Sequence, residues 1–494
     1  QGIHEIATAE PDRLAVVHGH DRLAFGELEA AINRAAHALV DAGIAPGDAV
    51  AAVLHNGPEY LVLLNAAARL GADFVPVGYR LTAPEARYIV EDSGSRVVLV
   101  DRRERARDLE ALPGVQVWHV DDARLRTGPV DPPRGDRLDA MPVPLQYTSG
   151  TTGRPKGVVR ERPEPARGPQ PNLAALLFGY RPGGVHLVSG PLYHAAPGGH
   201  AQMNLWTGAA VVLLDRFRAD DALDAIERER VTSSFMTPAH FVRILEADWA
   251  SRDRSSVERI WHAGAPCPPA VKRRMLEVFP GAIWEFYGMS EGLGGVVSPD
   301  EWLERPGTVG RALPSLSYRI LDESGCQLPP GEVGLVYVSA IPGQEFRYRD
   351  DDAKTAAAWR DGFYTVGDMG WLDDDGYLYL ADRRTDLILR NGMNVYPAEV
   401  EQVLAEHPDV VDAAVIGLPD ERSGQRVHAI VELRPGGRGP EALRSFLGER
   451  LADYKVPSTI EVVDELPREL NGKVLKRRLR EDRTPPVAPE QLEA

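Results

Sequence analysis

The stretch "YTSGTTGRPKG", Tyr147–Gly157, decides how the chain is read. Thr148, Ser149, Thr151 and Thr152 offer hydroxyl donors. Gly150, Gly153 and Gly157 let the backbone turn tightly and bring N–H groups toward a ligand. Lys156 and Arg154 add positive charge, and the whole suits a polyphosphate. It is not a Walker A loop, because Gly150 and Gly153 are too close together and Gly157 follows Lys156 where Ser or Thr is required. A plain flexible surface loop is the competing reading of the composition.

Working outward, helical and extended patterns alternate. Residues 24–43 carry helical apolar spacing that ends at a glycine, 47–57 read as a strand, 58–77 as helix then strand, and 96–101 as a strand. The alternation runs to about residue 300 and argues for an α/β layered fold with mostly parallel sheets. Residues 161–171, "ERPEPARGPQP", are charged and proline-rich and read as a mobile extension of the opening loop. A second unit begins near 381–397. A helix (398–406), β-rich segments (410–418 and 426–433), a helix (440–453) and a strand (459–463) make it a small α+β domain.

The 494 residues carry 56 Lys+Arg against 73 Asp+Glu, a net charge of −17, which argues against nucleic-acid binding. The basic run "LKRRLR" at 475–480 reads equally as a phosphate contact or a solvated helix face. Two cysteines, Cys267 and Cys326, make neither a disulfide framework nor a metal site and fit a reducing cytoplasm. No signal-peptide progression opens the sequence, and no stretch reaches the ~18 apolar residues of a membrane span. A rival motif is "GMSEG", 288–292, a G-x-S-x-G in which Ser290 would be the nucleophile of a serine hydrolase, with His407 or His428 downstream. That reading leaves the 147–157 loop without a purpose.

The loop resembles the phosphate-loop signature of the adenylate-forming superfamily. "PLYHAAP" (191–197), "WEFYGMSEG" (284–292), "FYTVGDMGWLDDDGYLYLADR" (363–383) and "LPRELNGKVLKRRLR" (466–480) resemble its later motifs, in the right order. The closest look is to bacterial fatty-acyl-CoA synthetases. The resemblance implies a large multi-subdomain α/β domain over 1–382 and a small mobile α+β domain over 383–494, with the site between them. It implies an ATP-dependent, Mg²⁺-assisted ligase that converts a carboxylate to acyl-AMP with pyrophosphate release and then transfers the acyl group to CoA. A carrier-protein thiol or an amine, including an aromatic amine diazotised with nitrite, is the alternative acceptor chemistry, and a catalytically dead nucleotide-binding scaffold is a third class. The partner is a small molecule, and the chain is a monomer or homodimer.

Residue by residue, the resemblance implies that Thr148–Gly153 and Lys156 embrace the β- and γ-phosphates. Tyr287 would stack on adenine, with Gly264, Ala265 and Pro266 on the other face and Gly288 beside it. Ser290 would touch the α-phosphate, Glu291 and Thr148 would hold Mg²⁺, and Asp368 would accept from the ribose hydroxyls. Arg383 would contact ribose or phosphate, and Lys473, rather than Lys476, would reach the forming adenylate. His194 would sit where the substrate carboxylate meets the α-phosphate, and His262 and Gly292 would line the acyl pocket. The low side-chain bulk of "GLGGVVS", 292–298, would let a chain or ring pass. Two positions depart from the pattern. Thr385 stands at the hinge, where Asp or Lys is usual, and Arg390-Asn391-Gly392 replaces Ser-Gly-Gly beside the acceptor tunnel.

Overall fold

The computed structural model describes residues 2–133, 137–138, 140–148, 155–160, 173–341, 343, 345–383, 386–391, 393–420, 422–469 and 474–484. The apolar spacing over 24–43 folds as the helix Phe25–Asp41, and the chain leaves it through Gly43 at φ +81°, a left-handed conformation glycine adopts without a Cβ penalty. Beyond it, four parallel strands form one sheet in the order Asp73–Pro76, Ala49–Val53, Ser95–Val100, Gln116–His119. Ala49–Val53 is buried along its whole length, which is why the sequence there shows an unbroken apolar run rather than alternation.

The central sheet holds fifteen strands. Six are parallel in the order Leu14–His18, Ala210–Leu213, Val185–Val188, Ser233–Met236, Arg259–His262, Ile283–Met289. The expectation of mostly parallel sheets holds only to Met289. From there Gly292–Val297, Thr308–Ala312, Leu378–Arg383 and Asp368–Leu372 continue the sheet antiparallel. The two faces of the parallel part differ. One carries Met236, Ile260 and Ile283 under helices Pro238–Glu246 and Pro269–Val278. The other carries Phe235, Trp261 and Phe286 under helix Ala195–Trp206.

A small sheet of Phe346–Tyr348, Lys156–Arg160 and Gln146–Thr148 stands beside it. The last unit is a five-stranded sheet, Met393–Val395, Ile388–Arg390, Gly424–Leu433 and Val410–Asp420, with Thr459–Val463 parallel to Gly424–Leu433. Helices Pro397–Ala405 and Pro440–Gly448 pack on it around Leu404, Val415, Val431 and Leu447. The second helix stops five residues short of the expected 453. The basic run at 475–480 forms the helix Lys476–Glu481. Among the described residues no helix is long and apolar enough to cross a membrane.

Candidate active site

The opening motif spans a β-hairpin. Gln146–Thr148 and Lys156–Arg160 pair antiparallel, with Tyr147 opposite Gly157 and Thr148 opposite Lys156. A strand-to-strand connection, not strand-to-helix, separates it from a Walker A loop in structure as in sequence. Ser149, Gly150, Thr151, Thr152, Gly153 and Arg154, and the segment 161–171, lie outside the described residues. Side chains fix the root of the hairpin. Tyr147 donates to Asp92 Oδ2 at 2.7 Å and Tyr88 to Asp92 Oδ1 at 3.2 Å, tying the hairpin to the end of helix Ala83–Asp92. A Cβ at Gly157 would lie 3.2 Å from the Tyr147 ring, so glycine is set by close packing. Lys156 Nζ lies 3.4 Å from Asp351 Oδ2, the N-cap of helix Asp352–Ala358.

Strands Ile283–Met289 and Gly292–Val297 form a second hairpin whose two-residue turn is Ser290–Glu291. This overturns the serine-hydrolase alternative. A nucleophile elbow turns from strand into helix, whereas Ser290 turns from strand into antiparallel strand. His407 lies directly after helix Pro397–Ala405 beside Asp409, and His428 pairs with Thr459 and Glu461, both in the last unit. Glu291 is only 8% exposed, and Tyr348 donates to its Oε1 at 2.8 Å. Lys354 Nζ stands 4.0 Å over the Tyr348 ring, and Arg160 donates to the Ser290 carbonyl. Burial pushes the Tyr348 hydroxyl up, with Glu291 adding to it; burial pulls Lys354 down against the opposing pull of Glu291 and Asp351. Arg160, Tyr348, Asp351 and Lys354 were not singled out from sequence. Arg160 follows the opening motif directly, but "FRYRDDDAKT" has no spacing that marks a site.

Tyr287 is 6% exposed and donates to Asp368 Oδ2 at 2.7 Å. Burial, reinforced by Asp368, holds the phenol protonated. The contact fixes the carboxylate at the start of strand Asp368–Leu372, opposite Arg383 at the end of Leu378–Arg383. Tyr287 packs in the core with Tyr318 and Tyr364, as a core tyrosine does. Gly288 is shaped by the Phe286 ring, 3.1 Å from where a Cβ would stand. The loop after Arg259–His262 carries Gly264 at φ +87°, half-buried Ala265 and exposed Pro266 at the C-terminal edge of the parallel strands, the edge where open α/β sheets bind ligands. His194 occupies the N-cap position of helix Ala195–Trp206, its ring 4.3 Å from that of Tyr193. The side chain of Arg383, together with Thr385, Gly392 and Lys473, lies outside the described residues.

Three assignments do not meet the pocket. His262 is fully buried on the opposite face of its strand, against Phe241, with Nε2 3.4 Å from Glu285 Oε2. Burial, and then Lys272, push its pKa far down. Gly292 leaves no passage: a Cβ there would lie 2.1 Å from Tyr364 Oη, and Gly294 and Gly295 give way to Tyr287 and Tyr318 in the same manner. The glycines of "GLGG" make room for tyrosines, not for substrate. Arg390 donates to the carbonyls of Tyr454 and Val456 at 2.9 and 3.1 Å and so clamps a loop of its own unit. Asn391 is exposed, at φ +54°, with its N–H on Ser423 O at 2.8 Å.

The donor set fits a magnesium nucleotide. The Glu291 carboxylate, a hard oxygen donor of the kind Mg²⁺ takes, is held by Tyr348 from the strand that pairs with Lys156–Arg160, and Arg160, Lys156 and Lys354 supply positive charge nearby. The profile of the family described as AMP-binding enzyme matches residues 3–341, and that of the AMP-binding enzyme C-terminal domain matches 399–473. A feruloyl-CoA synthase from Amycolatopsis sp is 37% identical over 96% of this chain and 96% of that protein. A fatty acid–[acyl-carrier-protein] ligase, ScoC of Streptomyces coeruleorubidus, is 34% identical over 96% of this chain and 94% of its own. The o-succinylbenzoate coenzyme A synthetase of Bacillus subtilis, solved with ATP and a magnesium ion, superposes with a TM-score of 0.83 at 31% identity over 97% of this chain and 98% of that one. The chain belongs to the AMP-binding enzyme family. It is an adenylate-forming ligase.

Proposed function

We propose that the protein joins a small-molecule carboxylic acid to CoA in two steps at one site, in the cytoplasm. A carboxylate oxygen attacks the α-phosphorus of ATP, the bond to the β-phosphate breaks, and pyrophosphate leaves. The CoA sulfur, as thiolate, then attacks the acyl carbon and AMP leaves. Glu291 and Thr148 would hold Mg²⁺, which would offset phosphate charge. The phosphate hairpin with Lys156 holds the leaving pyrophosphate. Ser290 contacts the α-phosphate, while Asp368, fixed by Tyr287, accepts from the ribose hydroxyls. His194 meets the acid's carboxylate. Lys473 stabilises the charge that develops on the transferring phosphoryl group. Lys476 is already paired with Glu401 at 2.8 Å, which favours Lys473 for that role. The chain divides after Asp382, and the second unit turns about Thr385 between the steps.

The observation that carries this reading is the buried Glu291 on its hairpin turn, held by Tyr348 next to the phosphate hairpin. CoA is preferred over other acceptors because CoA synthases stand among the chain's relatives, and the exposed Asn391 side chain presents no bar to it. Pyrophosphate release across a panel of acids tests the first step. Single-turnover consumption of preformed acyl-AMP with CoA, a phosphopantetheinyl carrier protein or an amine tests the second. No acceleration by CoA would transfer the assignment to the acceptor that does accelerate it.

A further inference from the structure

Lys156, Arg160 and Lys354 gather near the Ser290–Glu291 turn, and partners within the protein account for the first two. Lys156 pairs with Asp351, and Arg160 donates to the Ser290 carbonyl. Lys354 is half-buried, and its ammonium lies against the face of the Tyr348 ring, 4.0 Å away. Among the described residues no carboxylate lies within ion-pair distance of its Nζ. Burial draws its pKa down; Glu291 and Asp351 oppose that pull, and Lys156 adds to it. The ammonium is thus partly stripped of water, within the field of a second ammonium, and without an anion of its own. Such a group is costly unless something negative meets it.

The local fold holds it in that position. Asp351 stands at the start of helix Asp352–Ala358 and serves both lysines. Its Oδ1 accepts from the Lys354 N–H at 3.0 Å, and its Oδ2 lies 3.4 Å from Lys156 Nζ. Thr355 locks the helix to the preceding strand: its Oγ1 accepts from the Tyr348 N–H at 3.0 Å and donates to the Asp351 carbonyl at 2.8 Å. The strand is fixed in turn to the phosphate hairpin. Tyr348 pairs with Val158, and the Arg349 N–H donates to the Gly157 carbonyl at 2.8 Å. Tyr348 meanwhile turns its hydroxyl to Glu291 and its ring face to Lys354. The two lysines and the carboxylate therefore belong to one braced assembly, with positive charge in excess.

Resting on the ligase reading above, we propose that Lys354 is a further catalytic residue of the first step, its ammonium binding the β- and γ-phosphates of ATP beside Lys156. As the bond between the α-phosphorus and the bridging oxygen breaks, the electron pair passes to the pyrophosphate. The ammonium donates hydrogen bonds to that growing charge and keeps its proton.

The test is calorimetry of ATP and of AMP on the whole chain, with no acid present. AMP lacks the phosphates that Lys354 would hold. Lys354→Met keeps an unbranched stem against the Tyr348 ring and removes the charge. It should weaken ATP about ten- to a hundredfold, the loss of a charge-assisted contact, and leave AMP affinity unchanged. Lys354→Arg, which keeps the charge, should recover most of the loss. A lysine that only steadied Tyr348 would act through Glu291, and so through Mg²⁺. The contact instead predicts the same fold loss of ATP affinity with Mg²⁺ and in excess EDTA. A loss confined to the Mg²⁺ buffer overturns the contact, as does unchanged ATP affinity or an equal loss of ATP and AMP. Lys354→Gln carries the same expectations if Lys354→Met fails to fold. A wild-type chain that binds neither nucleotide overturns the ligase reading itself, whereas a wild-type chain that binds both, with ATP affinity indifferent to Lys354, overturns the assignment of Lys354 alone.

Discussion

Lys272→Met should destabilise the protein strongly and make its stability depend on pH in a particular direction. Lys272 is fully buried, its Nζ lies 2.5 Å from Glu285 Oε2, and it stands 4.7 Å over the Trp302 ring. Removing one partner of such a pair leaves an uncompensated buried charge, which costs about 3–5 kcal/mol. At about 2–3 kcal/mol per molar urea, the transition of this unit should move down by roughly 1 to 2.5 M. Burial already raises the Glu285 carboxyl above its ordinary 4.5, against the pull of Lys272. Without Lys272 the folded-state value rises further. A group raised in the folded state contributes stability that is complete below the unfolded value and lost as pH rises through the folded one. The variant should therefore be least impaired near pH 4.5 and most impaired near pH 8. Loss of the ammonium also eases protonation of His262, which acts in the same direction. Lys272→Met/Glu285→Leu should recover most of the loss, because an apolar pair of similar volume replaces a buried ion pair at little cost. Urea titrations followed by far-ultraviolet circular dichroism at pH 5 and pH 8 measure all of this. A single variant that unfolds within about 0.5 M of the parent at both pH values would refute the reasoning.

Tyr348→Phe should lower kcat for pyrophosphate release about tenfold or more while the fold survives, because Glu291 loses the donor that positions it; an unchanged kcat would remove Tyr348 from the positioning set. Lys473→Ala should cut adenylation on the order of 10²-fold in kcat and leave ATP binding intact. Synthetic acyl-AMP should restore thioester formation, and near-normal pyrophosphate release would rule Lys473 out. Asn391→Gly should leave the CoA-dependent step unchanged, since the side chain is exposed and its φ of +54° suits either residue; a faster thioester step would place Asn391 in the path of the arm.

The elements most legible in the sequence were those whose patterns arise locally. Helices Phe25–Asp41 and Pro397–Ala405 and the strand Thr459–Val463 fell within two residues of expectation because periodicity and flanking glycine or proline mark them. The phosphate hairpin and the Ser290–Glu291 turn were legible as motifs, although not as hairpins. What could not be read was sidedness. His262 and Trp261 are adjacent letters, and only the register of the parallel strands sends one under helices Pro238–Glu246 and Pro269–Val278 and the other under helix Ala195–Trp206. The glycines of "GLGG" looked like empty space because Tyr287, Tyr318 and Tyr364, which fill it, are contributed by three other strands. Tyr348 reaches Glu291 from a strand more than fifty residues downstream, a pairing that no local pattern encodes.

The alternation along Arg259–His262 makes that strand a partition wall with independent tenants. Trp261 and, on the neighbouring strands, Phe235, Trp284 and Phe286 pack under helix Ala195–Trp206. Met236, Ile260, His262 and Glu285 belong to the load that keeps the wall upright. Large-to-small exchange at Trp261 or Phe235, both buried, should loosen the packing under helix Ala195–Trp206 and cost about 3–5 kcal/mol. The same exchange placed one residue along each strand should loosen instead the packing under helices Pro238–Glu246 and Pro269–Val278.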